Sequence, residues 1–228
     1  MQLCKFKKVT AKIPADTELD DIINEMKASE GLRLRCEHIN ILLKKGKVKE
    51  AKELKKKSLP AFAPAALLYD GKGRGNVTGL TDLCFLDIDH ITDEQIETAM
   101  ALLRNDPHVV LTVRSTSVHG LHILVRYKLN GVEHPWIGNM GTNRMNHTYG
   151  SVFKTMRNHY QDILQLPIDK SCSNMERLCF FSYDPELYYN PTATPFVLQY
   201  IQQDLKRKPK ILQILNTEDE TKFIQNCK

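Results

Sequence analysis

Leu83-Cys84-Phe85-Leu86-Asp87-Ile88-Asp89-His90 is the stretch on which the fold turns. The apolar run reads as a strand from Leu83 to Asp89. Strand side chains alternate between faces, so Asp87 and Asp89 point the same way. Two carboxylates about 7 Å apart on one face repel unless a cation lies between them, and a divalent metal with oxygen ligands suits the pair. The plainer reading has both aspartates capping the turn that follows. An apolar run that ends in Asp-x-Asp favours the metal.

Downstream, Thr92 caps a helix to about Arg104, with Ile96, Met100 and Leu103 turned inward. Val109 to Val113 and Leu121 to Tyr127 read as neighbouring strands joined by Arg114-Ser115-Thr116-Ser117-Val118-His119-Gly120. On the second strand His122 and Arg126 share a face, and that cationic pair beside hydroxyls would suit an anion such as a phosphate. A half-buried strand with a polar outer face explains the same pattern. His119 and His122 are three apart, so in a strand they cannot both ligate one metal. The spacing also misses the His-hydrophobic-His of rolling-circle nucleases. Asn130 to Thr142 reads as a loop, Asn143 to Leu164 as a helix ended by Pro167, and Leu178 to Phe181 as a strand. In Leu166-Pro167-Ile168-Asp169 the aspartate offers a third carboxylate, and Arg177 opens an apolar strand where it would supply a fork for phosphate. Pro195 to Leu205 reads as a last helix or a strand-helix pair.

Upstream, Lys5 to Lys12 reads as a first strand ended near Pro14. Asp16-Thr17 then offers a cap for a helix carrying Leu19, Ile22, Ile23 and Met26. Leu32 to Leu43 and Val48 to Lys57 read as two helices broken at Gly46, and Ala61 to Tyr69 as one strand. Gly71-Lys-Gly-Arg-Gly75 lacks the ending of a Walker loop and opens no helix, so a P-loop is rejected. Lys72 and Arg74 there can still brush a phosphate backbone.

The chain of 228 residues suits one generous domain or a domain with a short appendage. No run approaches the ~18 apolar residues of a membrane helix, and no apolar stretch follows the N-terminal Met1-Gln2-Leu3-Cys4-Lys5. The six cysteines form no Cys-x-x-Cys pair, which points to reduced thiols, a cytoplasmic location and no zinc. The net charge of +5 is uneven. Lys44 to Lys57 holds eight lysines and two glutamates, whereas Thr81 to Asp106 holds seven acids and one arginine. A basic face of that kind is usually just solvated, yet Lys44, Lys45, Lys55, Lys56 and Lys57 would draw a nucleic-acid strand in a salt-dependent way. Alternating helices and adjacent strands predict an α+β fold with a mixed or antiparallel sheet flanked by helices. Residues 1–57 are expected as an N-terminal strand and basic helical region packed on a core of 58–205. Residues 206–228 are expected as a linker or tail leading to a further domain.

Asp87-Ile88-Asp89, Gly120-Leu121-His122 and Ile168-Asp169, in that order, resemble the archaeo-eukaryotic primase (primase-polymerase) superfamily. The stretch from Ile168 to Pro191 is similar, more narrowly, to the VirE N-terminal-type domain of bacterial mobile elements and prophages. The resemblance spans roughly residues 55 to 195. It implies that Asp87, Asp89 and Asp169 are catalytic and hold two Mg²⁺ or Mn²⁺ ions. It implies that His122 and Arg177 grip a nucleoside triphosphate, with Ser115 or Ser117 as helpers, and that the chemistry is two-metal phosphoryl transfer. The lysines would hold single-stranded or duplex DNA, and a helicase or further domain would be a partner. The pattern departs at Ser117-Val118, where relatives commonly carry Ser-Gly, because branched valine resists dihedrals that glycine allows. The expected function is therefore a primase- or polymerase-like nucleotidyltransferase in mobile-element or phage replication. Two alternatives stay open: a non-catalytic nucleic-acid or nucleotide-binding module, and a metal-dependent nuclease.

Overall fold

The computed structural model describes residues 1–133, 141–201 and 210–213. The chain opens with β1 (Gln2–Phe6) and β2 (Ala15–Glu18), an antiparallel pair in which Cys4 lies opposite Asp16. The first strand is thus earlier than Lys5–Lys12. Asp16 and Thr17 are strand residues rather than a cap, because the ladder to β1 claims their backbone. Glu18 occupies the cap position of α1 (Leu19–Ala28). Two packed helices follow, α2 (Glu30–Lys44) and α3 (Val48–Ser58), with Gly46 between them at φ 72°. Ser29 caps α2, its hydroxyl accepting from Leu32 N–H at 3.2 Å.

The apolar run Ala61 to Tyr69 is two strands, β3 (Ala61–Ala63) and β4 (Ala66–Leu68). Pro64 explains the break, since it lacks an N–H and fixes φ. β3 joins β1, whereas β4 turns away to pair with β5 (Val77–Leu80). β6 (Leu83–Asp89) then leads through His90, at φ 60°, into α4 (Asp93–Arg104). Thr92 and Gln95 form a reciprocal capping box at the start of α4.

β7 (Val109–Arg114) and β8 (Gly120–Asn130) flank the turn that carries Val118. β8 is the hub of the main sheet. It runs antiparallel to β6 from Leu83↔Arg126 to Asp89↔Gly120, and antiparallel to β7. The long helix α5 (Thr142–Leu164) packs on β6 and β5, and Tyr149 Oη accepts from Phe85 N–H at 3.3 Å. It stops where Gln165 takes φ 54° and Pro167 follows. β9 (Cys179–Phe180) pairs with β3, and β10 (Tyr188–Tyr189) pairs with β7. β11 (Phe196–Ile201) lies parallel to the far end of β8, so Pro195–Ile201 opens a strand rather than a helix. β12 (Lys210–Gln213) lies antiparallel on β11. The remainder of three expectations lies outside the described residues: the centre of the Asn130–Thr142 loop, the far end of the Pro195 element, and most of the 206–228 tail.

The molecule is an α+β fold with open sheets, of which the main one is mixed. Its core is continuous from Leu3 and Phe6 through Phe85, Leu124 and Phe153 to Phe181. Among the described residues no helix is long and apolar enough to cross a membrane.

Candidate metal and nucleotide cleft

β6 ends at the floor of a cleft of ≈ 550 Å³, walled by Asp87, Asp89, His122 and Arg177 and rimmed by Lys55, Lys56 and Lys72. Strand alternation places Asp87 and Asp89 on this side, and the β6–β8 register sets His122 directly opposite Asp87. The two are not alike. Asp87 is buried, and its Oδ1 has no hydrogen-bond partner among the described residues. Asp89 is exposed at the strand's end.

Asp169 reaches the same place by a backbone tether. Its N–H donates to the Asp87 carbonyl at 2.8 Å. One ligand atom each from Asp87, Asp169 and Cys172 lies within 4.8 Å of the others. The expected third member, Asp89, faces the cleft but stands outside this close group. Asp169 caps the short 3₁₀ turn Lys170–Ser173, accepting from the Ser171 N–H at 2.9 Å and from its hydroxyl. Arg177 approaches Asp169 at 3.8 Å and keeps its guanidinium exposed.

The charges differ accordingly. Burial pushes the Asp87 carboxyl up to about 6; Lys55 and Arg177 oppose the shift, and Asp169 reinforces it. Burial and the neighbouring Asp87 raise Asp89 as well. Burial also acts on Asp169, but the Ser171 hydrogen bonds and Arg177 hold it below the usual carboxylate range. His122 is buried and pushed down to about 3 by desolvation and by Lys55. It is therefore a neutral imidazole, with Nε2 3.6 Å from Asp87 Oδ1 and Nδ1 3.4 Å from Cys179 Sγ.

Several expected residues lie elsewhere. Arg126 does not join His122; it pairs with Asp82 at 3.2 Å and donates to the Ala193 carbonyl at 2.8 Å. Ser115 is buried and hydrogen-bonded to Ser117 at 2.9 Å, and neither lines this cleft. Lys45, just past the end of α2, and Lys57, on α3, are exposed and do not line this cleft. Arg74 does not line the cleft and pairs with Glu176 at 3.5 Å, and Lys72 is tied to the Val9 carbonyl.

Lys55 is the largest relocation. The charge pattern puts it on an outer surface, yet it lies half-buried at the cleft wall with its ammonium 4.7 Å from the Phe180 ring centroid. Burial lowers its pKa, while Asp87 and Asp89 support the charged form. Cys172, Cys179 and Glu176 also went unread. Their one signal is sequence position, between Asp169 and the strand that Arg177 opens.

The residues fit a divalent cation. An unpartnered buried carboxylate oxygen beside a second carboxylate is a donor set for Mg²⁺ or Mn²⁺. The fold and cleft together define an α+β domain whose strand β6, paired to the hub strand β8, presents carboxylates to a basic cleft. More specifically, the chain belongs to the family of BT4734-like N-terminal domains, whose family model matches residues 54–189. No curated protein matches the chain. No solved structure matches it either.

Proposed function

We propose that this chain is a metal-dependent nucleotidyltransferase of the primase-polymerase type, a VirE N-terminal-type domain acting on nucleic acid in the cytoplasm during mobile-element or phage replication. The observation that carries the reading is the meeting of Asp87 and Asp169, distant in sequence, beside His122 and Arg177. A structural carboxylate at the end of a strand has no need of a second carboxylate held beside it by a main-chain hydrogen bond.

Asp87 and Asp169 would hold Mg²⁺ or Mn²⁺, with Asp89 completing the set from the strand's end. When bound, the metal supplies an activated hydroxyl nucleophile and offsets charge on a departing pyrophosphate. The chain's own residues then divide the substrate between them. Arg177 offers an exposed guanidinium fork to phosphate oxygens. His122 is neutral at pH 7, so it contributes a hydrogen bond rather than a charge. Lys55, Lys56 and Lys72 give the cleft a positive potential that draws a triphosphate past the acids.

The test is direct. The protein is incubated with Mn²⁺ or Mg²⁺, ribo- or deoxynucleotides and a single-stranded template, and products are resolved on a denaturing gel. The expected outcome is template-dependent product that vanishes in Asp87→Asn and Asp169→Asn. Template degradation in place of synthesis would assign a nuclease. Binding that survives both chelation and these substitutions, without product, would assign a non-catalytic module.

A further inference from the structure

A second cleft, also ≈ 550 Å³, opens where the α2–α3 pair leans over the β7–β8 turn. One wall is Lys44, Lys52 and Lys55; the other is His90, Ser117 and His119. Apart from Lys55, the helical side lies outside the family match, which begins at residue 54. Residues Ile39, Leu43, Val48 and Ala51 form an apolar floor. The only acid among the lining residues is Asp89, which also faces the first cleft.

We propose that this second cleft binds single-stranded nucleic acid, one base covering the apolar floor and the flanking phosphates lying on Lys44 and Lys52. Three features select that occupant. The charged lining is three lysines against one aspartate, a net positive balance that fits a polyanion and disfavours an acidic peptide. The floor is apolar, which fits the face of a base rather than a bare phosphate. The cleft adjoins the carboxylate cleft at Lys55 and Asp89, so a strand seated here ends within reach of the site where a nucleotide would be joined. Neither imidazole is needed as a cation, because His90 and His119 are exposed and can lie flat against a base or sugar.

The assignment of the strand's destination rests on the nucleotidyltransferase reading; the binding itself does not. The experiment separates them. Binding of a fluorescein-labelled oligo(dT) to the full chain is followed by anisotropy in EDTA, so that no metal engages the first cleft. Each single-strand phosphate contact contributes about fivefold to affinity at 0.1 M salt through counterion release. Lys44→Ala/Lys52→Ala is therefore expected to lose about 25-fold and to flatten the slope of log affinity against log salt by about 1.4. Val48→Asn, at the exposed edge of the floor, is expected to weaken binding without changing that slope. Lys154→Glu, on the exposed side of α5, is the charge control and should leave the slope intact. If the double variant binds like the parent, if it loses no more than Lys154→Glu, or if the parent fails to bind in EDTA, the proposal is overturned. Loss of Mn²⁺-dependent nucleotide binding in Asp87→Asn is read separately, so the failure of either reading leaves the other legible.

Discussion

The two clefts are of equal volume and share a wall, yet they hold their charges in opposite ways. In the first, carboxylates are fixed by backbone. Asp87 is buried on β6, and Asp169 is tethered to it by a main-chain hydrogen bond. In the second, Lys44 and Lys52 stand on exposed helix faces. The same block of charge is partly answered by neighbours, with Lys47 3.0 Å from Glu50 and Lys56 3.3 Å from Glu53. Such exposed pairs contribute only a few tenths of a kcal/mol each. Where charges are fixed in place, position decides function and one substitution is decisive. Where they are free on a helix, number decides and effects accumulate.

Removing one charge from each side tests that contrast most severely. Asp87→Asn should lower Mn²⁺ affinity by about 100-fold, read by titration with electron paramagnetic resonance. Lys52→Ala alone should weaken oligonucleotide binding by only about fivefold at 0.1 M salt. Comparable losses in the two would erase the distinction.

The rigidity of the first cleft has its own test. Gly120 faces Asp89 across the ladder, and an added Cβ there would run into the Ile88 carbonyl and come 3.1 Å from Ser115 Oγ. Gly120→Ala should therefore destabilise the fold by about 2–3 kcal/mol in urea unfolding. Arg177→Lys keeps the charge but loses the planar fork, and should weaken nucleotide binding by about tenfold while leaving unfolding unchanged.

The turn between the clefts allows a gain. Val118 sits at φ 58°, in the left-handed region that β-branched side chains avoid. Val118→Gly should raise stability by about 1 kcal/mol, the strain relieved less the added chain entropy.

The smallest effect concerns the far side of the sheet. His159 packs against the rings of Tyr160 and Phe196 at 5.1 and 4.9 Å, and burial there holds its pKa below 6.5 although Asp106 pulls the other way. Its unfolded form takes up a proton first as pH falls through 6.5, so this stability is present above that pH and lost below it. The drop in melting temperature between pH 7 and pH 5 should shrink in His159→Phe.

What could be read in advance follows the same division. Thr92, Gln95 and the apolar spacing behind them announce α4 because a capping box is a purely local device. The strand β6 and the common face of Asp87 and Asp89 follow from period-two alternation. The departure at Ser117-Val118 marked a turn needing unusual dihedrals, and Val118 adopts them. Strands of two to four residues, such as β5 and β10, carry too few positions to show a period. The split at Pro64 was legible but masked by apolar residues on both sides. Lys55 was misplaced for a different reason. Charge is written in the sequence, but which face of α3 meets the core is decided by packing against β9 and the cleft. Cys172 joined Asp87 and Asp169 only because a 3₁₀ turn folds it back, and no spacing rule encodes that.

Lys55 lines both clefts, and this has a consequence for how they behave together. Its ammonium is a single charge that would stand between the two proposed anionic ligands, near Asp87 and Asp89 on one side and the helical floor on the other. Whatever occupies one cleft therefore alters the field felt in the other. By linkage the change is reciprocal: the factor by which a strand alters nucleotide affinity equals the factor by which nucleotide alters strand affinity. One half-buried side chain thus couples the two neighbouring compartments into a single thermodynamic circuit.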